Sequence, residues 1–164
     1  MKVGTASKNH QRYRREADDS VDDRRTCPGL WLAVHSRWNF TIDAAASPVN
    51  AMLPRFWTRK DNALKQRWVG ERVWCNPPYS RLDPWVAKAW DEYAAGCELI
   101  VMLIPNNRAD QPFWQEQIER RRDRPGSGLR VEFVPGRPRF TLPNGDPMGR
   151  PPFGVCLLIW EKAA

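Results

Sequence analysis

The chain is poor in metal-ligand chemistry. It has two histidines, His10 and His35, and four cysteines, Cys27, Cys75, Cys97 and Cys156, that stand far apart without a CxxC pair. Structural zinc draws on closely spaced ligand pairs, so no metal site is expected. A cysteine inside an apolar run, such as Cys156 in Val155–Trp160, reads as a small core residue in a reducing compartment, which points to the cytoplasm. No uninterrupted apolar run approaches the roughly 18 residues of a membrane span, and the N-terminus is polar, so neither a span nor a signal peptide is expected. Repeats, a separate target-recognition domain and the glycine-rich fingerprint of dinucleotide-binding folds are also missing.

What remains is a globular composition with an aromatic bias. The 164 residues include 41% hydrophobic residues and nine tryptophans, enough for one compact domain with a real core. Lys plus Arg number 26 against 19 Asp plus Glu, a surplus that favours a polyanionic partner. Residues 1–25 are polar, charged and without apolar periodicity. They read as a flexible tail whose Lys8, Arg12, Arg14 and Arg15 are either solvated or in contact with DNA, leaving 26–164 as a single domain.

Folding signals begin at Thr26. Pro28 suits the first turn of a short helix bearing Leu30, Trp31 and Val34. Phe40–Ala44 reads as a short buried strand ending at Asp43, Ser47-Pro48 as a helix start, and Arg55–Thr58 as a strand. Residues 72–75 form another strand, which must stop at Asn76-Pro77-Pro78 because proline cannot donate to a ladder. Asp83 as N-cap, Pro84 in the first turn and Val86, Ala89, Trp90 and Tyr93 at helical spacing predict a helix that Gly96 ends. Glu98–Ile104 is a near-continuous apolar run of the kind covered on both faces. Asp110 is placed to cap a helix holding Phe113, Trp114 and Ile118, with strands at Arg130–Val134, Arg139–Leu142 and Gly154–Trp160. The alternation predicts an α/β fold: a mixed, mostly parallel sheet with helices on both faces, antiparallel towards its C-terminal edge.

The chemistry concentrates in Val73-Trp74-Cys75-Asn76-Pro77-Pro78-Tyr79-Ser80. In open α/β sheets ligands bind beyond the carboxyl ends of strands, and this tetrad begins at such an end. An aryl amine delocalises its lone pair into the ring and is a poor nucleophile. The side-chain carbonyl of Asn76 and the backbone carbonyl of Pro77 can each accept one amine hydrogen, which favours a pyramidal nitrogen and aims its lone pair. Pro77 and Pro78 stiffen the loop and preorganise both acceptors. Tyr79 offers a ring on which a flipped base would stack. An Asn-Pro-Pro turn is also sterically sensible without chemistry, but the capped helix that follows supplies the strand–loop–helix setting of an active-site loop.

A second constellation is Phe40-Thr41-Ile42-Asp43-Ala44-Ala45-Ala46-Ser47-Pro48-Val49-Asn50. An acid ending an apolar strand, small residues and then Ser47 at a helix start make a reasonable nucleotide cradle; Asp43 as a plain turn acid stands beside that reading. The 32 residues between Asp43 and Asn76 are enough for a crossover, so the two can end neighbouring parallel strands and face one crevice.

These segments carry a family resemblance. FTIDAAASPVNA, then FWTRKDNALKQRWVGERVWCNPPYSRLDPWV, then LIPNNRADQPFWQ, VEFVPGRPRF and PPFGVCLLIW resemble the phage-type DNA N-6-adenine methyltransferases, from about Thr26 to Trp160. NPPY alone is shared with protein glutamine and RNA methyltransferases; the ordered set is far more specific. The resemblance implies a compact Rossmann-like methyltransferase fold, S-adenosylmethionine as cofactor and adenine in double-stranded DNA as target. It implies Asn76, Pro77, Pro78 and Tyr79 as the catalytic loop and Asp43, Ala44 and Ala45 at the cofactor. Asp61, in Lys60-Asp61-Asn62-Ala63-Leu64, would approach the cofactor adenine, with a turn role as its alternative. Family members carry Thr-Pro before the first helix; here the sequence is Thr26-Cys27-Pro28, and Thr26 is the candidate for the methionine end.

Arginines complete the reading. Arg81 and Arg108 follow the strands that should line the crevice and suit phosphate contacts. Arg120, Arg121, Arg122 and Arg124 form either a DNA-facing patch or a solvated helix end, and Arg137 and Arg139 lie in or beside predicted loops. Two rivals remain: an RNA or protein-glutamine methyltransferase using the same loop, and a catalytically inactive DNA-binding relative.

Overall fold

A computed structural model describes residues 24–142 and 144–162. The expected tail therefore falls outside the described residues except for Arg24 and Arg25. Those two belong to the packed fold, where Arg25 pairs with Thr141.

Five strands form one sheet: β1 (Ile42–Asp43), β2 (Arg72–Cys75), β3 (Leu99–Pro105), β4 (Leu129–Phe133) and β5 (Val155–Glu161). Their spatial order is β1-β2-β3-β5-β4. The first three are parallel, and β5 runs antiparallel to both neighbours. This is the expected mixed α/β sheet, compatible with a Rossmann-like methyltransferase fold. Every residue of β3 is buried, as a strand covered on both faces requires.

Helix α1 (Pro28–Trp38) begins with its proline in the first turn. It ends at Asn39, whose left-handed backbone lets its N–H reach the His35 carbonyl. Helix α2 (Leu82–Ala95) starts two residues earlier than expected: Arg81 holds the cap position and Asp83 lies in the first turn. Gly96, at φ 114°, closes α2 onto the carbonyls of Glu92 and Tyr93. The two helices take opposite faces. Trp31 of α1 meets Trp74 edge-on at 5.6 Å, and Trp90 of α2 meets Trp160 at 5.7 Å. Ladder register sets Trp160 opposite Ile100 and Ile100 opposite Val73, so Trp160 and Trp74 project from opposite sides.

Several elements are shorter than the apolar pattern suggests. Phe40–Ala44 contributes only Ile42 and Asp43 to the sheet, and Ser47-Pro48 opens a turn rather than a helix. Arg55–Thr58 is no regular strand; Phe56 makes one parallel bridge to Asp43. Arg139–Leu142 likewise pairs only through Thr141. The helix expected from Asp110 is a six-residue π-helix, Trp114–Glu119, with Phe113, Trp114 and Ile118 buried. Around Phe56 and Thr141 the chain is held by isolated bridges, which apolar alternation cannot distinguish from a ladder.

Cys75, Cys97 and Cys156 are buried and Cys27 half-buried, all as free thiols. Burial pushes the Cys97 and Cys156 thiols up to about 12, so neither is a nucleophile at neutral pH. Among the described residues no cluster of three or more His, Cys, Asp or Glu is gathered, and no helix is long and apolar enough to cross a membrane.

Candidate active site

β1 and β2 lie side by side, parallel, with Asp43 in register with Trp74. The pairing extends one residue past the strand: Ala44 N–H donates to the Trp74 carbonyl at 2.9 Å. The two loops leaving these strands therefore diverge from adjacent carboxyl ends and enclose one cavity of about 820 Å³. The first loop lines it with Ala44, Ala45, Ala46, Ser47 and Asn50; the second does so with Asn76, Pro78, Ser80 and Arg81. The crevice read from the 32-residue spacing is present.

Asp43 itself does not line the cavity. It is 2% exposed, and its carboxylate accepts the N–H groups of Ala45 at 3.3 Å and Met52 at 3.0 Å. It thereby ties both ends of the 44–52 loop, the turn role that stood beside the ligand reading. Burial pushes its carboxyl up to about 6, and the two N–H bonds pull the other way. The Asp43 backbone also holds the next segment, accepting from Trp57 N–H at 2.9 Å and donating to the Arg55 carbonyl at 3.0 Å.

That segment supplies the far wall: Trp57, Thr58, Arg59, Lys60, Asn62, Ala63 and Leu64. Trp57 stacks against the fully buried Trp68 at 6.3 Å. Trp68 is fixed in turn, its indole N–H on the Ala63 carbonyl and its backbone N–H on the Glu92 carboxylate. Asp61 is exposed and absent from the wall. Its carboxylate accepts the Thr58 hydroxyl at 2.7 Å and the Thr58 N–H at 2.8 Å, bonds that hold its pKa below the usual carboxylate range. It closes the turn that presents Thr58–Asn62. Pro84 and Trp85 of α2 complete the enclosure.

The second loop alternates. Asn76, Pro78 and Ser80 line the cavity, whereas Pro77 and Tyr79 are buried on the other side. Asn76 and Pro77 each precede a proline, which keeps both out of the helical region and prolongs strand-like alternation past β2. Tyr79, three residues from Asn76, is only 8% exposed, with Phe140 at 6.3 Å and Phe153 at 6.0 Å packed edge-on to it. The expected open stacking face is closed in this arrangement.

The remaining expected residues divide. Arg81 is exposed on the cavity lining. Arg108 follows β3 outside the lining, half-buried, with its Nε enclosed and lacking a hydrogen-bond partner. Thr26 is 1% exposed beside the Arg25–Thr141 bridge, its hydroxyl also enclosed without a partner and not on the cavity wall. In the Arg120–Arg124 run, Arg122 is tied to Glu119 and Asp123, and Arg121 lies over Trp90 at 4.5 Å. The sequence reading missed Trp57, Trp85, Asn62 and the Phe140–Phe153 pair. For the rings only the high aromatic content was a signal, and it does not say which of them face a ligand.

Comparison with known proteins agrees with the geometry. The profile of the family described as DNA N-6-adenine-methyltransferase (Dam) matches residues 15–137. A relative from Escherichia phage T1, named DNA N-6-adenine-methyltransferase, is 36% identical over 92 residues, which cover 54% of this chain and 39% of that protein. A relative of the same name from Haemophilus phage HP1 (strain HP1c1) is 34% identical over 65 residues, 40% of this chain and 38% of that protein. The matched stretch thus spans about two fifths of the length of these curated relatives.

Proposed function

The chain belongs to the DNA N-6-adenine-methyltransferase (Dam) family, and on that premise we propose that it methylates the exocyclic amine of adenine in double-stranded DNA with S-adenosylmethionine as donor. The observation that carries the reading is the shared cavity: the loops leaving two adjacent parallel strands place the small Ala44–Ala46 segment and Asn76 on one enclosed surface.

The cavity fits the donor. Its volume lies within the usual range for cofactor sites. Trp57 and Trp85 give it flat apolar walls for a purine, and Ala44, Ala45 and Ser47 let a ligand approach the backbone. Arg59, Lys60 and Arg81 on the lining suit a carboxylate. Asp43 acts from behind by fixing the 44–52 loop, and Asp61 by fixing the Thr58–Asn62 turn.

Bound donor supplies a methyl carbon made electrophilic by its sulfonium. The protein's work is on the nucleophile. Asn76 Oδ1 and the Pro77 carbonyl each accept one hydrogen of the adenine amine, turning the nitrogen lone pair towards that carbon. The donor would supply the methyl group, its C–S bond breaking to leave a neutral thioether as the C–N bond forms, and the surplus amine proton would pass to solvent. Pro78 holds the loop rigid, Tyr79 stacks on the extruded base, and Arg81 and Arg108 take phosphates.

The test is methyl transfer from labelled S-adenosylmethionine to adenine-containing duplex DNA, RNA and protein in parallel, with N6-methyladenine identified in the digested DNA. Label in DNA alone is expected. Label in RNA or protein instead would hand the reading to those substrates, and no transfer with no donor binding would leave an inactive DNA-binding relative.

A further inference from the structure

The buried side of the catalytic loop has its own construction. Phe140 is 2% exposed against Tyr79. The Phe140 carbonyl accepts the Met148 N–H at 2.9 Å, and its neighbour Thr141 exchanges two backbone hydrogen bonds with Arg25, each 3.0 Å. The Arg24 guanidinium lies over the Phe140 ring, 5.9 Å from its centroid. Two distant pieces of chain, Arg24–Thr26 and Arg137–Leu142, are thus latched together over the tyrosine. No strand of the sheet includes either of them.

We propose that these two pieces form a hinged roof over the target-base side of the loop, and that it opens by engaging the phosphates of the DNA substrate. The proposal rests on the adenine-methylating reading above. A stacking platform needs an open face, and Tyr79 has none while Phe140 is seated. The roof is tied by short backbone contacts, the Arg25–Thr141 bridge between its two pieces and the Thr141–Pro147 bridge and Met148–Phe140 hydrogen bond beside it, together with ring contacts, whereas the cavity side of the loop hangs on the β1–β2 ladder.

The charges supply the trigger. Arg24, Arg25, Arg137 and Arg139 all sit on the roof, and none forms an ion pair among the described residues. In the closed arrangement Arg24 Nε is enclosed with no hydrogen-bond partner, a state that costs free energy. A phosphate offers that N–H an acceptor only when the side chain swings outward. DNA therefore binds the open roof more tightly than the closed one, which is the condition for shifting the equilibrium. The extruded base then takes the seat that Phe140 leaves.

A reversible cross-link tests this in the full chain. Arg25 and Thr141 are a mutually hydrogen-bonded antiparallel pair, whose Cα separation of about 5.5 Å lies within disulfide reach. In a Cys27→Ser background, Arg25→Cys with Thr141→Cys is oxidised to lock the roof. Methyl transfer to duplex DNA is expected to fall at least tenfold relative to the same protein reduced, with S-adenosylmethionine affinity by calorimetry changing less than twofold. Equal turnover locked and unlocked would overturn the roof. Absence of transfer even in the reduced and parent proteins would overturn the functional reading and the roof with it. A second variant, Phe140→Leu, is expected to brighten 2-aminopurine at the target position at lower DNA concentration; extrusion unchanged from the parent would equally overturn the proposal.

Discussion

The two sides of the Asn76–Tyr79 loop are held in different ways. The cavity side is built on sheet: Asp43 and Trp74 are paired in register, and the Ala44, Trp57 and Met52 N–H groups all return to the β1–β2 edge. The Tyr79 side is built on three rings and isolated backbone contacts, among them a bridge from Arg25 to Thr141, more than a hundred positions away. A backbone ladder fixes geometry whatever the neighbouring side chains do, while a ring contact fixes it only as long as the rings stay packed. The cavity side therefore reads as preorganised and the Tyr79 side as movable, a division that suits the proposed reaction, in which a small donor is bound and a base is drawn out of a duplex.

The largest test of that contrast is Asn76→Ala. Asn76 stands at the end of the ladder, facing the cavity, and is assigned to the amine rather than to the donor. Methyl transfer is expected to fall by about 100-fold or more, the scale for losing one preorganised partner of the reacting group, with donor affinity by calorimetry nearly unchanged. Turnover close to the parent's would remove Asn76 from the chemistry.

Asp43→Ala is expected to do the reverse, acting on the donor first. It leaves the Ala45 and Met52 N–H groups without their acceptor, at about 1–3 kcal/mol for a buried unsatisfied group. Slackening the 44–52 loop should weaken donor affinity by about tenfold. The same residue gives a pH signature. Its folded-state carboxyl is raised to about 6 by burial, so the folded protein holds this proton more tightly than the unfolded chain does. Stability is then fully present at low pH and declines as pH rises from about 4 to 6, by at most about 3 kcal/mol, before levelling. Asp43→Asn should remove that decline, so denaturant midpoints of variant and parent should converge, or cross in the variant's favour, between pH 4 and pH 7. Parallel profiles would mean that Asp43 is as well solvated folded as unfolded.

The contrast also explains what the sequence reveals. β2, α2 and β3 are legible because local rules agree: a proline stop at Pro77, Pro84 in a first turn, Gly96 at a left-handed cap and an apolar run buried on both faces. The crevice is legible too, since the spacing of Asp43 and Asn76 follows from how parallel strands connect. The direction of Asp43's carboxylate is not, because an acid at a strand end has the same pattern whether it meets a ligand or its own loop. The burial of Tyr79 is hidden for a similar reason: with Pro77 and Pro78 prolonging the strand, it faces away from Asn76. Its partners, Phe140, Phe153 and Arg24, lie at sequence distances that no local period connects.

The smallest expected effect separates charge from stacking. Arg81 is exposed at the cavity mouth and Arg108 half-buried beyond β3, and both are proposed to meet phosphates. Each contact releases condensed counterions, so the slope of log affinity against log salt carries about −0.9 per contact on duplex DNA. Arg81→Gln should make that slope shallower by about one unit and weaken binding evenly across sequences, and Arg108→Gln should do the same if its enclosed guanidinium reaches the strand. Tyr79→Ala should leave the slope unchanged while abolishing extrusion of a fluorescent adenine analogue, because stacking releases no ions. A salt titration of the three variants reads both quantities. An unaltered slope for Arg81→Gln would place the DNA away from the cavity mouth, and a changed slope for Tyr79→Ala would mean that the rings over the loop govern where the strand lies rather than only where the base goes.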